Sequence, residues 1–190
     1  MIPVQNALRA IAELRGDAVV LPTMMTARVW PTVTTREELD LPIVGCMGKA
    51  SSVGLGIALA RPDRKVIVLD GDGSLLMNLG SLVTIANARP RNLIHCVFEN
   101  GVYEVTGGQP VPGAGSFSFA TIARGAGFAN VYDLQDEVSL LPRLRDAFAR
   151  PGPTFICFHV TPAGASYRAR PKRNTANAWQ QVRAVLAASG

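Results

Sequence analysis

The fold is decided by residues 65–74, which read KVIVLDGDGS. The run Lys65–Leu69 is rich in β-branched side chains, which is typical of a strand buried on both faces of a parallel sheet. A short polar turn with two glycines, Asp70–Ser74, follows it directly. Ligands of open parallel sheets bind beyond the carboxyl ends of the strands. The stretch therefore predicts a central strand with a binding loop at its end.

Strand and helix patterns alternate on both sides of this stretch. The predicted strands are Ala18–Leu21, a short run ending at Val44, Lys65–Leu69, Leu93–Phe98, Asn130–Tyr132 and Thr154–Val160. The predicted helices are Val4–Arg15, Lys49–Ala60, Ser81–Ala88, Phe117–Gly125, Glu137–Ala149 and Asn174–Ala188, with a loop-rich segment at Pro22–Pro42. This alternation predicts an α/β protein with three α/β/α layers and a mainly parallel sheet, and we expect residues 1–190 to form one domain.

The composition excludes several classes of protein. Hydrophobic residues make up 48% of the 190 residues and charged residues 17%, which is typical of a globular chain. Cys46, Cys96 and Cys157 are far apart without a CxxC spacing, so neither a disulfide framework nor a zinc site is predicted. Buried thiols at positions 96 and 157 would fit the reducing cytoplasm. The opening 16 residues resemble an amphipathic helix rather than a signal peptide, and Lys49 with four glycines interrupts the longest apolar stretch, 43–60, so no membrane span is expected.

Basic residues are concentrated near the end of the chain. The formal net charge is +5, but the part from Arg143 onward has eight Lys or Arg and one acid, Asp146, which gives it a local charge of +7. We expect the basic tail, about 165–190, to be solvated or to contact a subunit, with an anionic ligand as the alternative. Nucleic-acid binding is disfavoured because the tail has no recognisable binding motif and no interleaved aromatic residues.

A second polar segment follows the next predicted strand. Glu99 and Asn100 follow Gly73 after 25 intervening residues, a distance that fits one strand–helix–strand unit, so both loops are expected at one edge of the sheet. The Asp72 carboxylate, the Asn100 amide oxygen and the Val102 carbonyl could then bind one hard cation such as Mg²⁺. Ser74 is predicted to cap the following helix, whose first N–H groups suit phosphate. Taken alone, GDGS is more often an ordinary turn with an Asp cap.

The two segments together resemble the metal and diphosphate signature of the thiamine-diphosphate enzymes. The resemblance is closest to the phosphonopyruvate and sulfopyruvate decarboxylases, and it extends over nearly the whole chain. Its matching runs are GCMGKASSVGLGIALA, VIVLDGDGSLLMNLGSL, NLIHCVFENGVYEVTGGQP and, weakly, ARPKRN. Two positions depart from that pattern: Glu99 replaces the first Asn of the family's Asn-Asn pair, which is often Asp in this subgroup, and Lys49 stands where the subgroup commonly has His.

The resemblance implies a cofactor site for thiamine diphosphate and Mg²⁺. The Gly45 carbonyl would accept from the aminopyrimidine, and the Met47 side chain would hold the bent cofactor, although a methionine alone is more often core filler. The implied cofactor-binding residues are Gly45, Met47, Gly71, Asp72, Gly73, Ser74, Asn100, Val102 and Tyr103, and the implied metal ligands are Asp72, Asn100 and Val102. Candidates for recognising a second anionic group on the substrate are Lys49, Thr106, Gln109 and the basic residues Arg168, Arg170, Lys172 and Arg173.

The resemblance also implies a partner chain. In the family, a Glu on a separate pyrimidine-binding domain activates the cofactor, and 190 residues are too few to include that domain. We therefore expect an α subunit to contribute this Glu in a hetero-oligomer, with a homo-oligomer when the chain is isolated. No catalytic residue is assigned to this chain. His95 and His159 are interpreted as core histidines with satisfied hydrogen bonds.

Three hypotheses of function follow from these observations. The first is the β subunit of a sulfopyruvate decarboxylase, which converts sulfopyruvate to sulfoacetaldehyde and CO₂. The second is a subunit of a phosphonopyruvate decarboxylase, and in both cases the substrate is a small anionic 2-oxo acid. The third is a non-catalytic α/β module that binds a nucleotide or regulates another protein. This third hypothesis is disfavoured because it leaves Met47, Asn100 and their spacing from Asp72 unexplained.

Overall fold

The computed structural model describes residues 1–164 and 174–188. The strands are β1 (Ile2–Pro3), β2 (Val19–Pro22), β3 (Val66–Gly71), β4 (Leu93–Glu99), β5 (Val102–Tyr103), β6 (Gln109–Pro110), β7 (Asn130–Leu134) and β8 (Thr154–Thr161). The α-helices are α1 (Val4–Leu14), α2 (Met24–Val29), α3 (Ala50–Ala60), α4 (Asp72–Leu76), α5 (Ser81–Ala88), α6 (Phe119–Ala126), α7 (Leu140–Ala149) and α8 (Thr175–Ala188). Short 3₁₀ turns lie at Trp30–Thr32, Glu37–Leu39 and Glu104–Thr106.

Six of the strands form one parallel sheet. Its order is β2, β3, β4 and β8, and the free edge of β8 is shared by β7 and β1. β5 and β6 form a separate antiparallel ribbon beyond the end of β4. Because every pairing in the main sheet is parallel, the ends of β2, β3 and β4 lie at one edge. The predicted α/β fold with a mainly parallel sheet is confirmed.

Helices cover both faces of the sheet, which gives the three predicted layers. On one face, α1 and α7 pack with Trp30 against alternate side chains of the strands, including Ile67, Cys96 and Phe158. On the other face, α3, α5 and α6 pack against the intervening side chains, such as Val68, Val97 and Phe155. Alternate residues of a strand point to opposite faces, so strands buried on both sides carry apolar runs without alternation. Burial of both faces explains the β-branched run at Lys65–Leu69.

The small residues of α3 bring this helix close to the sheet. Gly54 faces β3, and a Cβ added there would lie 2.4 Å from Cγ2 of Val68. Gly56 is on the exposed side of the same helix, where an added Cβ would meet no heavy atom within 4 Å. The close packing holds the loop before α3 near the end of β3.

Several predicted elements differ from the structure. The segment predicted as loop-rich, Pro22–Pro42, contains the helix α2 and two 3₁₀ turns. The predicted strand ending at Val44 does not form, because only an isolated bridge joins Ile43 to Thr23. The helix predicted from Phe117 begins at Phe119, because Ser118 is its N-cap and accepts a hydrogen bond from the Thr121 amide.

The C-terminal prediction can be followed only in part. Helix α8 forms as predicted and buries Ala178 and Val182. The candidate residues Arg168, Arg170, Lys172 and Arg173 lie outside the described residues. None of the helices described for residues 1–164 and 174–188 combines the length and hydropathy needed to cross a membrane.

Candidate functional site

A cleft of about 450 Å³ opens at the edge of the sheet where β2, β3 and β4 end. It is lined by Thr23, Met24, Met25, Thr26, Met47, Gly71, Asp72, Gly73, Ser74, Phe98, Asn100, Val102, Tyr103, Glu104, Val105 and Thr106. The loops after β3 and β4, which were predicted to carry the binding residues, therefore meet in one cleft, because the ends of adjacent parallel strands lie at the same edge of the sheet.

Asp72 lies at the start of α4 and joins the two loops. Its Oδ1 accepts a hydrogen bond from the Gly73 amide at 2.7 Å. Its Oδ2 accepts from the amides of Asn100 at 3.0 Å and Gly101 at 2.7 Å. The carboxylate is buried and fixes the chain after β4 against the chain after β3. One aspartate thus determines how the two loops are positioned.

Burial makes the ionised form of Asp72 energetically unfavourable. Burial raises the pKa of the carboxyl above its ordinary value, and repulsion from Glu99 acts in the same direction. The three amide hydrogen bonds oppose that pKa rise without cancelling it. A bound cation would stabilise the ionised form, because an opposite charge compensates for lost hydration.

Asn100 projects from the end of β4 into the same cleft. Its Oδ1 accepts from the Val102 amide at 3.0 Å, and its Nδ2 donates to Glu104 at 2.9 Å. The Glu104 carboxylate also accepts from the Gly164 amide at 2.8 Å. These contacts fix which way the Asn100 side-chain amide faces.

The oxygen atoms of these residues fit a hard divalent cation. A carboxylate offers about four lone-pair positions, and the amides in contact with Asp72 occupy three. The Asn100 amide oxygen accepts one hydrogen bond and keeps a second lone pair. Magnesium binds proteins through one or two such oxygens and takes its other ligands from phosphate and water. The residues present therefore suit a metal that is shared with a phosphorylated cofactor.

The missing side chain of Gly73 makes room for the ring of Tyr103. A Cβ at Gly73 would lie 2.3 Å from Cε1 of Tyr103. The glycine therefore lets the ring of β5 pack onto the α4 turn, which closes one wall of the cleft.

The Gly45–Gly48 loop reaches the cleft through Met47. Met47 is half-buried and lines the cleft, whereas Gly45 is exposed and not among the lining residues. Both Gly45 and Gly48 have positive φ angles, of 78° and 75°, which favour glycine. Gly48 is held at both ends: its amide donates to Ser74 Oγ at 3.0 Å and its carbonyl accepts from Asn78 at 2.8 Å.

The predicted capping role of Ser74 is wrong. Helix α4 begins at Asp72, with Gly71 as its N-cap, so Ser74 lies inside the helix. Its buried hydroxyl instead accepts from the Gly48 amide. Ser74 therefore connects the Met47 loop to the Asp72 turn, and this bond is between segments that only the fold brings together.

Of the candidate substrate contacts that lie within the described residues (Lys49, Thr106 and Gln109), only Thr106 lines the cleft. Thr106 lies in the cleft wall, and its hydroxyl is 3.2 Å from Gln109 Oε1. Gln109 is exposed on β6 and its amide donates to the Thr106 carbonyl at 3.0 Å. Lys49 is exposed at the N-cap of α3 and is not among the lining residues. Gln109 can thus act on the cleft through Thr106, while Lys49 is outside it.

The contribution of α2 to the cleft was not predicted from the sequence. Thr23–Thr26 form the wall of the cleft that follows β2. Met24 has a φ of +51°, a strained value for a non-glycine residue. The sequence contained a signal for this wall, because β2 ends beside β3 and ligands bind beyond strand ends of parallel sheets in general. The rule was not applied to β2, because Pro22–Pro42 was predicted to be loop-rich.

The two histidines differ from their predicted environment. His95 is fully buried, and its Nε2 lies 3.3 Å from Asp70 Oδ2. Its Nδ1 has no hydrogen-bond partner among the described residues, so its bonding is only half satisfied. The prediction of a core position is wrong for His159, whose side chain is 30% exposed and lies between Glu99 and Asp133.

Comparison with known families identifies this arrangement. Residues 19–158 match the family "Thiamine pyrophosphate enzyme, C-terminal TPP binding domain". The chain belongs to this family. The match extends from β2 into β8 and includes both cleft loops, so the thiamine-diphosphate binding implied by the sequence resemblance is confirmed at the level of the family.

Relatives of this thiamine pyrophosphate-binding chain include two kinds of decarboxylase. A phosphonopyruvate decarboxylase from Streptomyces viridochromogenes is 38% identical over 179 residues, covering 94% of this chain and 44% of the relative. A sulfopyruvate decarboxylase subunit beta from Methanothermobacter thermautotrophicus is 43% identical over 123 residues, covering 65% of this chain and 63% of the relative. The chain thus spans less than two thirds of the length of either relative.

Solved structures agree on the fold of the thiamine pyrophosphate-binding domain. A benzoylformate decarboxylase from Polynucleobacter necessarius superposes with a TM-score of 0.69 at 20% identity, over 83% of this chain and 33% of that chain. At this identity the similarity supports the fold alone.

Proposed function

We propose that this chain is the diphosphate-binding part of a 2-oxo acid decarboxylase that uses thiamine diphosphate and Mg²⁺. The observation that carries the proposal is the pairing of Asp72 and Asn100 in one cleft. Four backbone amides donate to their side-chain oxygens, and the Asn100 side-chain nitrogen donates to Glu104. Family membership supports the cofactor. The donor chemistry supports the metal, because both residues offer oxygen and neither offers nitrogen or sulfur.

Asp72, Asn100 and the Val102 carbonyl would hold the metal, and the turn Gly71–Ser74 would lie beside the diphosphate. When bound, the cofactor provides the electron sink that permits CO₂ to leave a 2-oxo acid. The chain's own residues bind and orient it. Met47 projects into the cleft and would contact the cofactor's rings, while the exposed Gly45 would contribute only its carbonyl. Tyr103 packs on Gly73 and excludes water from one side of the turn.

For the substrate we put sulfopyruvate before phosphonopyruvate. The relative named as a sulfopyruvate decarboxylase subunit has 43% identity, against 38% for the phosphonopyruvate decarboxylase. Both acids carry a second anionic group beside the 2-oxo acid. Of the candidate substrate contacts, Thr106 lines the cleft, and its hydroxyl could donate a hydrogen bond to that group with support from Gln109.

We further propose that an α subunit completes the site. The carboxylates that line the cleft of the described residues are Asp72 and Glu104, and both are occupied by hydrogen bonds. Neither is available to protonate the pyrimidine. Val44 and Met77 are 52% and 60% exposed on either side of the Gly45–Gly48 loop, so an apolar partner surface could cover this side of the cleft.

The metal assignment is tested by cofactor retention in the complex of the chain with its partner. Asp72→Asn removes the negative charge while keeping the size of the side chain. We expect it to abolish the rise in melting temperature that Mg²⁺ and thiamine diphosphate produce together in the unsubstituted complex. Asp63→Asn is the matched control, because Asp63 is exposed, pairs with Arg61 and does not line the cleft. An unchanged shift in Asp72→Asn would refute the metal assignment.

The substrate is tested separately by turnover. The same complex is supplied with sulfopyruvate or phosphonopyruvate, and CO₂ release is followed. We expect a higher kcat/KM for sulfopyruvate, and Thr106→Val should raise KM for the preferred acid. A preference for phosphonopyruvate would reverse the order of the two substrates and leave the cofactor site intact. Turnover of neither acid, with cofactor bound, would reject the decarboxylase proposal.

A further inference from the structure

A second group of ligand-bearing side chains lies at the carboxyl edge of the sheet. Glu99 on β4 and Cys157 and His159 on β8 offer an oxygen, a sulfur and a nitrogen, all within 4.8 Å of one another. The Cys157 Sγ is 3.2 Å from Glu99 Oε2, and His159 Nδ1 is 3.6 Å from the same oxygen. The thiamine-diphosphate site uses none of these three side chains.

Strand register explains why the three side chains converge. Glu99 pairs directly with His159 across β4 and β8, and paired residues of a parallel sheet project from the same face. Cys157 precedes His159 by two residues on β8, so both point to that face. Three rigid strand positions therefore aim different ligand atoms at one point, and no loop has to move to assemble them.

Asp133 on the neighbouring strand completes the arrangement. Its Oδ1 is 2.6 Å from His159 Nε2, on the opposite side of the ring from Glu99. A carboxylate that accepts from one ring nitrogen makes the other nitrogen available as a ligand, and this arrangement is typical of histidines that bind zinc. Nδ1 of His159 is thus the nitrogen that faces Glu99 and Cys157.

We propose that Glu99, Cys157 and His159 bind a divalent cation of the zinc class, with Asp133 as the positioning residue of His159. Zinc bonds of about 2.0–2.3 Å to oxygen, nitrogen and sulfur require ligand atoms roughly 3.2–3.7 Å apart in a tetrahedron. The spacings of 3.2 and 3.6 Å already fall within that range. Cys157 binds as the thiolate, its proton passes to solvent, and water fills the fourth position.

The ligand types separate this site from the proposed magnesium site. Thiolate and imidazole prefer zinc and its neighbours in the transition series, whereas Asp72 and Asn100 offer only hard oxygens. The two carboxylates Glu99 and Asp133 give the surroundings the negative charge that a cation requires. Access is from the solvent side, since the side chains of His159 and Asp133 are 30% and 29% exposed while Cys157 lies at the buried base.

Occupancy would affect the neighbouring cofactor loop. Glu99 directly precedes Asn100, so a cation on Glu99 would fix the end of β4 from which the Asn100 side chain projects. The structure therefore couples the two cation sites through one peptide bond. The proposal itself does not depend on the decarboxylase function, because the ligand cluster is complete within this chain.

The test is a titration of the chelator-treated full chain with Co²⁺ in excess Mg²⁺. Cobalt replaces zinc at such sites and gives a thiolate-to-cobalt absorption band in the near ultraviolet when sulfur binds. We expect one equivalent of Co²⁺ to produce this band, and one equivalent of Zn²⁺ to remove it. Excess Mg²⁺ keeps the hard-oxygen site occupied, so it should leave the band unchanged.

Variants identify the ligands. Cys157→Ser should lose the band, while Cys46→Ser, which removes an exposed thiol elsewhere, should keep it. His159→Gln is a second ligand variant at a more exposed position, and it decides the matter if Cys157→Ser does not fold. Asp133→Asn should weaken Co²⁺ binding by roughly 10–100-fold. No band in the unsubstituted chain, a band that persists in the ligand variants, or its loss in Cys46→Ser would overturn the proposal.

Discussion

At the scale of single residues, the buried pair Arg15–Asp40 anchors the segment that leads to the cleft. Their closest atoms are 2.6 Å apart, and the side chains are 2% and 5% exposed. Arg15 also donates to the Ala18 carbonyl and the Thr34 hydroxyl. Burial lowers the pKa of the Arg15 guanidinium, and the Asp40 charge opposes that change. The end of α1 is therefore fixed to the chain that precedes the Gly45–Gly48 loop.

Removing one member of this pair should be strongly destabilising. Asp40→Ala leaves the Arg15 charge buried without its carboxylate, and such changes cost about 3–5 kcal/mol. Glu38→Ala is the control, because Glu38 pairs with Arg36 at the surface, where pairs contribute at most about 1 kcal/mol. Urea unfolding of the two variants measures the difference. Equal losses of stability would show that the Arg15–Asp40 pair does not hold the segment.

The three thiols should differ in reactivity for a reason set by burial. Burial raises the pKa of the Cys96 thiol and of the Cys157 thiol well above the ordinary value, and Glu99 adds to the effect at Cys157. The nucleophilic thiolate is therefore absent at both positions from pH 7 to pH 9. Cys46 is exposed.

Alkylation of the folded, metal-free chain should modify only Cys46 rapidly. Because a raised pKa keeps the protonated thiol dominant, moving from pH 7 to pH 9 should leave Cys96 and Cys157 slow to react. In denaturant all three thiols should react. Mass spectrometry of timed samples gives the rate at each position. Rapid modification of Cys157 in the folded chain would show that the base of the Glu99–Cys157–His159 cluster is open to solvent.

At the scale of elements, the contact of α3 with β3 can be tested within one helix. Gly54→Ala would place a Cβ 2.4 Å from Val68 in the core, so the helix must move away from the sheet. Such overpacking costs about 1–3 kcal/mol. Gly56→Ala meets open space and should instead stabilise the chain by about 0.4–1 kcal/mol. Urea midpoints of the two variants should therefore shift in opposite directions, and a shift in the same direction would contradict the close packing of α3.

The elements also show what the sequence could predict. The buried strands β3, β4 and β8 were predicted because continuous apolar runs reflect burial on both faces, which is a local property. Helix α2 was not predicted, because it depends on a contact that is distant in the sequence: the Thr26 hydroxyl donates to the Leu69 carbonyl in β3. The same limit explains Ser74, whose partner Gly48 is 26 residues away.

The candidate site was predictable where each functional residue belongs to a recognisable short motif. Asp72 and Asn100 each stand in a short motif at a strand end, and the structure brings them together. The Glu99–Cys157–His159 cluster has no such signal, because Glu99 is 58 residues from Cys157 and 60 from His159 and meets them only through strand register. Cysteine spacing therefore predicted no zinc site, although the fold assembles zinc-type ligands.

At the scale of the whole molecule, we propose that the cleft is one half of a catalytic site. The two hydrophobic cores hold six parallel strands, and the strand ends position the groups proposed to bind metal and diphosphate. The charged groups of the cleft are already committed to that task. Asp72 accepts three amide hydrogen bonds, and Glu104 holds Asn100 and the Gly164 amide. We therefore expect the group that activates the cofactor's other end to approach from outside the cleft walls formed by the described residues.

The purified 190-residue chain should therefore show negligible decarboxylase activity by itself. Activity measured as CO₂ release from sulfopyruvate, with Mg²⁺ and thiamine diphosphate present, should appear when the partner subunit is added. We expect the cofactor to bind at the Asp72 loop in either case, so calorimetry on the chain alone separates a binding defect from a missing catalytic group. A partner whose pyrimidine-site Glu is replaced by Gln is the matched control, and it should restore assembly without restoring turnover. Robust turnover by the isolated chain would mean that a carboxylate of this chain, with Glu104 the first to test, activates the cofactor.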